Sequence, residues 1–288
     1  MSAAFALDLV SPTQPIGLIA AGGRFPLYFA EKAHAAGLRL VIVGLRGLAD
    51  PTLAQFAWRF HWCGPIQLGK MIRLFSRDGA ERLVMAGKVY KGDLLYRPWR
   101  VFFFTPDWRA LRMWLFNRRS DNGDHSVLLA IIDEFAKDGL TFASALDLCP
   151  ELLVKPGVLT RRRPSAAEYA DIAFGWELAK KFSAMEVGQS IAVKDKTVLA
   201  VEAIEGTDLA ILRAGEYARG SFTLVKLAKQ GHDMRFDVPT VGQTTIETMA
   251  RAGGRVLALE AGKTILLDHE QTVALADRLG ISIVALSN

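Results

Sequence analysis

The chain has 288 residues, 51% hydrophobic and 23% charged, with a formal net charge of +5. That length and apolar content suit a sizeable core and two domains, while a pI near 9.2 favours anionic partners but falls short of the dense Lys/Arg tracts of a nucleic-acid arm. Cys63 and Cys149 are too few for a disulfide framework, lack metal-ligand spacing and suit buried thiols in a cytoplasmic protein; residues 1–13 lack the basic start of a secretory leader, and no stretch approaches the roughly 18 apolar residues of a spanning helix.

In chain order, an apolar strand at 16–20 runs into Ala21-Gly22-Gly23-Arg24, with Pro26 placed for the first turn of a helix. Glycines there let backbone N–H groups approach a phosphate at a helix N-terminus. Gly17, Gly22 and Gly23 do not keep the G-x-G-x-x-G spacing, however, so the turn reads equally as a plain tight turn, and a nicotinamide-dependent oxidoreductase is disfavoured. Strands at 39–43, 82–86 and 140–143 alternate with helices near 66–76, 108–116 and 126–137. The class is therefore α/β: an N-terminal, Rossmann-like domain, residues 1–150, built on a doubly wound parallel sheet. Ligands collect beyond the carboxyl ends of such strands, which puts Gly22, Gly23, Arg24 and Lys88 on one rim.

Within 97–119, Trp99, Phe102, Phe103, Phe104, Trp108, Trp114 and Phe116 interleave with Arg97, Arg100, Arg109, Arg112, Arg118 and Arg119. A helix over 108–119 would put Trp108, Leu111 and Leu115 on one face and Arg109, Arg112 and Arg119 on another. That pattern fits a helix lying on an anionic membrane surface or beside an acyl chain, and equally a core helix with a solvated basic face. The Phe102-Phe103-Phe104 run is too apolar for a base-stacking platform, so nucleic acid is excluded.

Pro, Gly and a charge run break the periodicity at 151–164, as a linker does. Ser165 and Glu168 then form a capping box opening a helix to about Phe182 and a C-terminal α/β domain, 165–288, with a mixed sheet. A hairpin turns at Asp195-Lys196. A helix from about Thr207, a strand at 222–228, a helix at 245–252, strands at 256–260 and 264–267, a helix at 270–279 and a strand at 281–285 follow. The run 198–202 is nearly continuously apolar, which suits a buried strand. The echo of V-L-A-V-E-A in V-L-A-L-E-A suggests that Glu202 and Glu260 end similar buried strands side by side.

Acids at the ends of apolar segments carry the chemistry. Glu202, Glu205, Asp208, Asp233, Asp237 and Glu260, with Lys226, Lys229 and Arg235, could hold a hard divalent cation and an anionic substrate. Thr244 and Thr245 are placed to cap the helix that follows or to donate to phosphate. The bland alternative is that these acids are solvated or salt-bridged and the protein merely binds a nucleotide sugar or lipid.

I-G-L-I-A-A-G-G-R-F-P from Ile16, G-K-V at Gly87, G-D-H-S-V-L-L near Asp124, M-E-V-G-Q ending at Gln189, A-V-E-A-I-E-G-T-D, G-H-D-M-R-F-D-V-P-T-V-G and L-E-A-G-K-T together resemble the LpxI-type UDP-2,3-diacylglucosamine pyrophosphatases. The resemblance runs from Ile16 through nearly the whole chain, and its second-half motifs are long. Glu186 stands where the pattern expects Asp and His232 where it expects Gln; neither change removes an acid. The resemblance implies Mg²⁺-dependent hydrolysis of the pyrophosphate of a UDP-linked diacylated glucosamine in lipid A biosynthesis. Asp233 or Asp237 would hold the metal or orient the water, and Glu202, Glu205, Asp208 and Glu260 would be supporting ligands. Lys226, Lys229, Arg235, Thr207 and Thr244 would contact phosphate oxygens, and Gly22, Gly23, Arg24 and Lys88 would bind substrate, the glycine turn contacting the nucleotide or closing on the substrate. A homodimer is the expected assembly.

Overall fold

The computed structural model describes residues 14–89, 105–116, 124–185, 187–229, 233, 235 and 238–287. The chain divides into two compact units, residues 1–150 with 233–237, and residues 151–232 with 238–288.

The first unit is built on a 5-stranded sheet in the order β3-β2-β1-β4-β5, parallel throughout. Its strands are β1 (Ile16–Ala20), β2 (Leu40–Leu45), β3 (Arg59–Cys63), β4 (Arg82–Ala86) and β5 (Thr141–Phe142), and its helices α1 (Phe25–Ala35), α2 (Leu68–Arg77), α3 (Trp108–Phe116) and α4 (Asp124–Ala136). β1 and β2 are buried along their whole length, as central strands covered on both faces must be. Val41, Val43, Met71, Ile72, Phe75, Leu83, Ala110 and Phe135 form one core, while α1 contributes the fully buried Phe29, Ala30 and Ala33. Strands are added on one side of β1 as far as β3 and on the other from β4. The turn after β1 therefore lies at the switch point of the sheet, where open α/β folds bind ligands.

The second unit has a 6-stranded sheet in the order β6-β13-β11-β9-β7-β8. Here β6 is Gly157–Val158, β7 Ser190–Lys194, β8 Thr197–Val201, β9 Phe222–Lys226, β11 Gly254–Glu260 and β13 Ser282–Leu286; β10 (Thr240–Val241) and β12 (Ile265–Leu266) form a separate parallel pair. β9, β11 and β13 run parallel, and β7, β8 and β6 each run antiparallel to a neighbour. Helix α5 (Ala166–Ala184) packs Ile172, Trp176 and Ala179 on one face, against Val193, Val225, Val256 and Val284. Helices α6 (Thr207–Ala218), α7 (Gln243–Ala252) and α8 (His269–Leu279) cover the other, where Ile211, Ile246, Met249 and Leu275 meet Ala192, Leu224, Leu257 and Ile283. Because β7 and β8 run against each other, the start of β7 and the ends of β8, β9 and β11 all reach one edge.

Local chemistry explains the details. Ser165 and Glu168 make the capping box, each side chain accepting from the other's backbone N–H. Asp195 and Lys196 turn the β7–β8 hairpin at φ 49° and 55°, and the buried Asp171 carboxylate accepts both of their N–H groups. Residues 151–164 are bonded into the second unit: Val154 donates to Thr264 O, Leu159 donates to Ile283 O, and Thr160 Oγ1 accepts from Ile283. Pro and Gly break the apolar periodicity of this segment, yet its backbone pairs with β13.

β8 corrects one expectation. It is the edge strand, with Val198 37% exposed, rather than a strand buried on both faces. Its apolar run arises because α6 covers one face. The register slips at Ala192/Val193, leaving Leu199 as an extra residue, and the C=O of Val201 is taken by Arg213 at 2.6 Å.

Candidate functional site

Strand register carries Ser190, Glu202 and Lys226 to the α6 face of one sheet edge. Ser190 pairs with Lys226 across β7 and β9, Glu202 N–H donates to Ser190 O, and alternation gives the three a common face with Ala192, Ala200 and Leu224. Lys226, 4% exposed, donates to Thr207 Oγ1 at 2.6 Å, and that hydroxyl donates to Glu202 Oε1 at 2.9 Å. Lys226 Nζ is 4.0 Å from Glu202 Oε2. The expected cost of burying a carboxylate here is thus offset by a lysine and a hydroxyl. Gly188 makes this close fit possible, since a Cβ there would sit 1.9 Å from Glu202 O.

Glu260 points the other way. Val256 and Ala258 share its side of β11, and they pack in the α5 core. Glu260 is 3% exposed; its Oε2 accepts the N–H of Ala228 at 3.1 Å and its Oε1 accepts from Lys263 at 2.8 Å. Ser183 Oγ, also buried, donates to Ala228 O at 3.2 Å, and Leu227 N–H donates to Gln189 O. Glu202 and Glu260 do end strands at one edge, but β7 and β9 separate those strands and the carboxylates face opposite layers.

The turn between β8 and α6 holds the other acids. Glu205 Oε2 accepts from Ala203 N–H, and Arg213 lies 2.7 Å from its Oε1. Asp208 sits in the first turn of α6, where the helix dipole favours an anion. Glu202 Oε2, Asp208 Oδ1 and Ser190 Oγ are buried without a hydrogen-bond partner. Such oxygens have the chemistry a hard cation takes, although among the described residues no three His, Cys, Asp or Glu come together to hold an ion. The described residues supply donors rather than a complete metal centre.

Asp233 and Arg235 form a fork: Arg235 Nε and Nη2 donate to the Asp233 carboxylate at 2.9 and 2.6 Å, and its backbone N–H donates to Oδ1. Donating to the Asp233 carboxylate raises the Arg235 pKa, outweighing the effect of burial, and the charges of Asp233 and Asp133 add to it. Asp237 lies outside the described residues, as do His232, Glu186 and the parts of the Arg-aromatic stretch at 97–104 and 117–119. Lys229 is half-buried. Thr244 is exposed in the first turn of α7, whose N-cap is Gly242 with no side-chain cap; neither Thr244 nor Thr245 performs the expected capping. Among the described side chains of α3, Ala110 is the buried one, Trp108 is 74% exposed, and Arg109 pairs with Glu134 and Asp138 instead of lying on a solvated basic face.

In the first unit the glycine turn meets the end of β4. Gly22 N–H donates to Lys88 O at 3.1 Å and Lys88 N–H to Gly22 O at 2.8 Å. Gly87 is at φ 103°, and a Cβ on it would lie 2.7 Å from Gly22 O, so the approach requires glycine. Arg24 occupies the N-cap position of α1, which no side chain caps. Gly22, Gly23, Arg24 and Lys88 are therefore gathered at the switch point of the sheet.

Sequence reading missed Ser183 and Ser190. The sign available was M-E-V-G-Q itself, whose glycine permits the Glu202 contact and whose neighbours are these two serines.

A glycine turn at the switch point of one parallel sheet, and carboxylates beside a buried lysine at an edge of the other sheet, define a two-unit α/β protein. The LpxI N-terminal domain family matches residues 15–152 and the LpxI C-terminal domain family residues 155–284. The UDP-2,3-diacylglucosamine pyrophosphatase LpxI of Caulobacter vibrioides is 31% identical over 280 residues, covering 94% of this chain and 97% of that protein. The chain belongs to the LpxI family.

Proposed function

We propose that the protein hydrolyses the pyrophosphate bond of UDP-2,3-diacylglucosamine to UMP and 2,3-diacylglucosamine 1-phosphate in lipid A biosynthesis. The observation that carries this reading is the 31% identity to a pyrophosphatase of that substrate, spread over 94% of the chain. Hydrolysis adds water across a phosphoric anhydride: a P–O bond forms from water, the bridging P–O bond breaks, and a proton passes to a base. Asp237 or Asp233 is assigned to orient that water, and Lys229 and Arg235 to contact phosphate oxygens. Lys226, enclosed beside Thr207 and Glu202, acts by fixing the start of α6.

We further propose a requirement for Mg²⁺, which when bound would neutralise phosphate charge. Glu202 and Asp208 are the residues assigned to hold it, since Glu202 Oε2 and Asp208 Oδ1 are buried and accept no hydrogen bond. The exposed Trp108 and Leu115 of α3 suit contact with the bilayer in which a diacylated substrate resides.

The test is release of UMP by purified protein with Mg²⁺, with a chelator, and by Asp237→Ala. Metal-dependent release that falls at least about a hundredfold in the mutant is expected, the usual scale for removing a catalytic group. Substrate binding without release under any divalent cation would overturn the hydrolase reading.

A further inference from the structure

At the amino ends of β9 and β11 the second unit carries a dish of about 720 Å³ lined by Arg162, Arg251, Arg255 and Glu168. The arginines come from separate segments: Arg162 from the chain that runs beside β13, Arg251 from the last turn of α7, and Arg255 from the second position of β11. Between them the floor is nearly bare of side chains, because Gly215, Gly220, Ala250, Ala252 and Gly253 line it. Gly253, at φ 86°, permits that floor, since a Cβ there would lie 2.9 Å from Gly220 O. Ser221, on the dish, and Lys226 stand at opposite ends of β9. At about 3.3 Å per residue the dish is roughly 15 Å from the edge that holds Lys226 and Glu202.

The charges do not cancel within the dish. Among the described residues that line it, Glu168 is the one carboxylate, and both its oxygens are taken, Oε1 by Arg162 Nη2 at 2.6 Å and Oε2 by the Ser165 N–H at 2.7 Å. Arg162 is fixed further by donating to Ser282 Oγ at 2.7 Å. Arg251 Nη2 donates to Thr248 Oγ1 at 3.2 Å, and Arg255 Nη1 donates to the carbonyls of Leu279 and Gly280 at 3.1 and 3.4 Å. Serving the carbonyl ends of α7 and α8 explains a cation at each place. It does not use the rest of either guanidinium: among the described residues, Nε and Nη1 of Arg251 and Nε and Nη2 of Arg255 have no acceptor, and neither arginine meets a carboxylate. We propose that this dish binds a phosphomonoester. One guanidinium fork satisfies a monocarboxylate, whereas a phosphomonoester brings close to two negative charges and three terminal oxygens. Three arginines, two of them without a counter-charge, match that demand, and the exposed Ser221 adds a hydroxyl donor. The volume falls in the roughly 300–1,000 Å³ usual for small-molecule sites, so the phosphate comes with a body attached, that of a soluble metabolite or of a lipid with a phosphate headgroup. The proposal is independent of the hydrolase reading.

The experiment reads amide chemical shifts of the isotope-labelled full chain on titration with inorganic phosphate and, separately, with glycerol phosphate, chloride holding the ionic strength constant. A lipid arm measures sedimentation with phosphatidylcholine vesicles carrying phosphatidic acid or, at equal surface charge, phosphatidylserine. Saturable shifts are expected at Gly220, Ser221, Gly253 and Arg255, larger than any at Glu202 or Thr207. Arg251→Gln and Arg255→Gln should each weaken the affinity about tenfold, the scale of one lost charged hydrogen bond. Arg255→Lys should recover little of that loss, because an ammonium offers no fork. Ser221→Asp, which leaves all three arginines in place, should abolish saturation by repulsion.

Saturation by glycerol phosphate that the two glutamine variants weaken assigns the site to a soluble phosphomonoester. Binding confined to phosphatidic acid vesicles and lost in the same variants assigns it to a lipid headgroup. Equal binding to both kinds of vesicle, without saturation by either soluble probe, would reduce the dish to a generally basic surface and overturn the proposal. No binding in any arm would overturn it too, as would shifts that lie only at the Glu202 edge or an affinity unchanged in Arg251→Gln, Arg255→Gln and Ser221→Asp. If Arg255→Gln fails to fold after losing its bonds to the end of α8, Arg251→Gln and Ser221→Asp carry the same comparison.

Discussion

An ammonium and a carboxylate enclosed as Lys226 and Glu202 are each lose several kcal/mol of hydration, and stand only because each meets the other through Thr207. Removing one partner leaves the other buried alone. Lys226→Met should therefore destabilise the fold by about 3 kcal/mol or more, read as a lower urea midpoint at unchanged slope. Adding Glu202→Gln to that variant should recover a substantial part of the loss, a coupling a double-mutant cycle would measure. If the two substitutions are simply additive, the pair is not the unit described. Sequence could indicate that Glu202 needed a cation, because an acid closing an apolar run is costly. It could not indicate that Lys226 would be that cation, because the contact depends on a register between β7 and β9 that no local pattern encodes.

At the level of elements, capping and turn chemistry were readable because they are local. The capping box at Ser165 and Glu168, the Asp195-Lys196 turn and the strand–glycine–helix unit at Ile16 all occur where their residues placed them. β3 was not readable: Arg59, His61 and Trp62 interrupt its apolar content, since it is an edge strand whose neighbour β2 supplies the pairing. The capping box also has a pH consequence. Burial raises the Glu168 pKa, but hydrogen bonds from Arg162 and the Ser165 N–H, with the charge of Arg162, outweigh it and hold the carboxyl below its ordinary 4.5. A depressed carboxylate contributes stability that is fully present above the unfolded value and is lost as pH falls through the folded one. Glu168→Gln should thus cost about 1 kcal/mol near neutral pH, with the difference closing in strong acid, below both the unfolded and the folded values. Urea unfolding at both pH values checks this; a difference independent of pH would place the effect in packing instead.

For the whole molecule, the α/β class and the mixed second sheet follow from alternating apolar segments, whereas strand order and layer do not. Glu202 and Glu260 show the limit most clearly. Their matching hexapeptides suggested neighbours, and in space they share an edge, yet one carboxylate faces α6 and the other α5. Parity along a strand decides that, and an echo between two segments says nothing of the parity with which each enters the sheet. The candidate acids were therefore identifiable one by one, but not as a constellation.

The outer margin of the second sheet governs how copies of this protein behave toward one another in a crowded solution. Thr197–Val201 is a short, apolar ribbon without proline or charge, the composition that recruits strands from other chains into aggregates. Two features blunt it: the extra residue at Leu199, which interrupts the row of free donors and acceptors, and the Arg213 guanidinium on the Val201 carbonyl. Arg213→Ala would expose that carbonyl while leaving the apolar ribbon intact. The expected result is faster, concentration-dependent growth of light scattering and thioflavin fluorescence at mildly destabilising temperature, with a melting point close to that of the unaltered protein. Equal growth in the two proteins would mean that the bulge alone suffices as the guard.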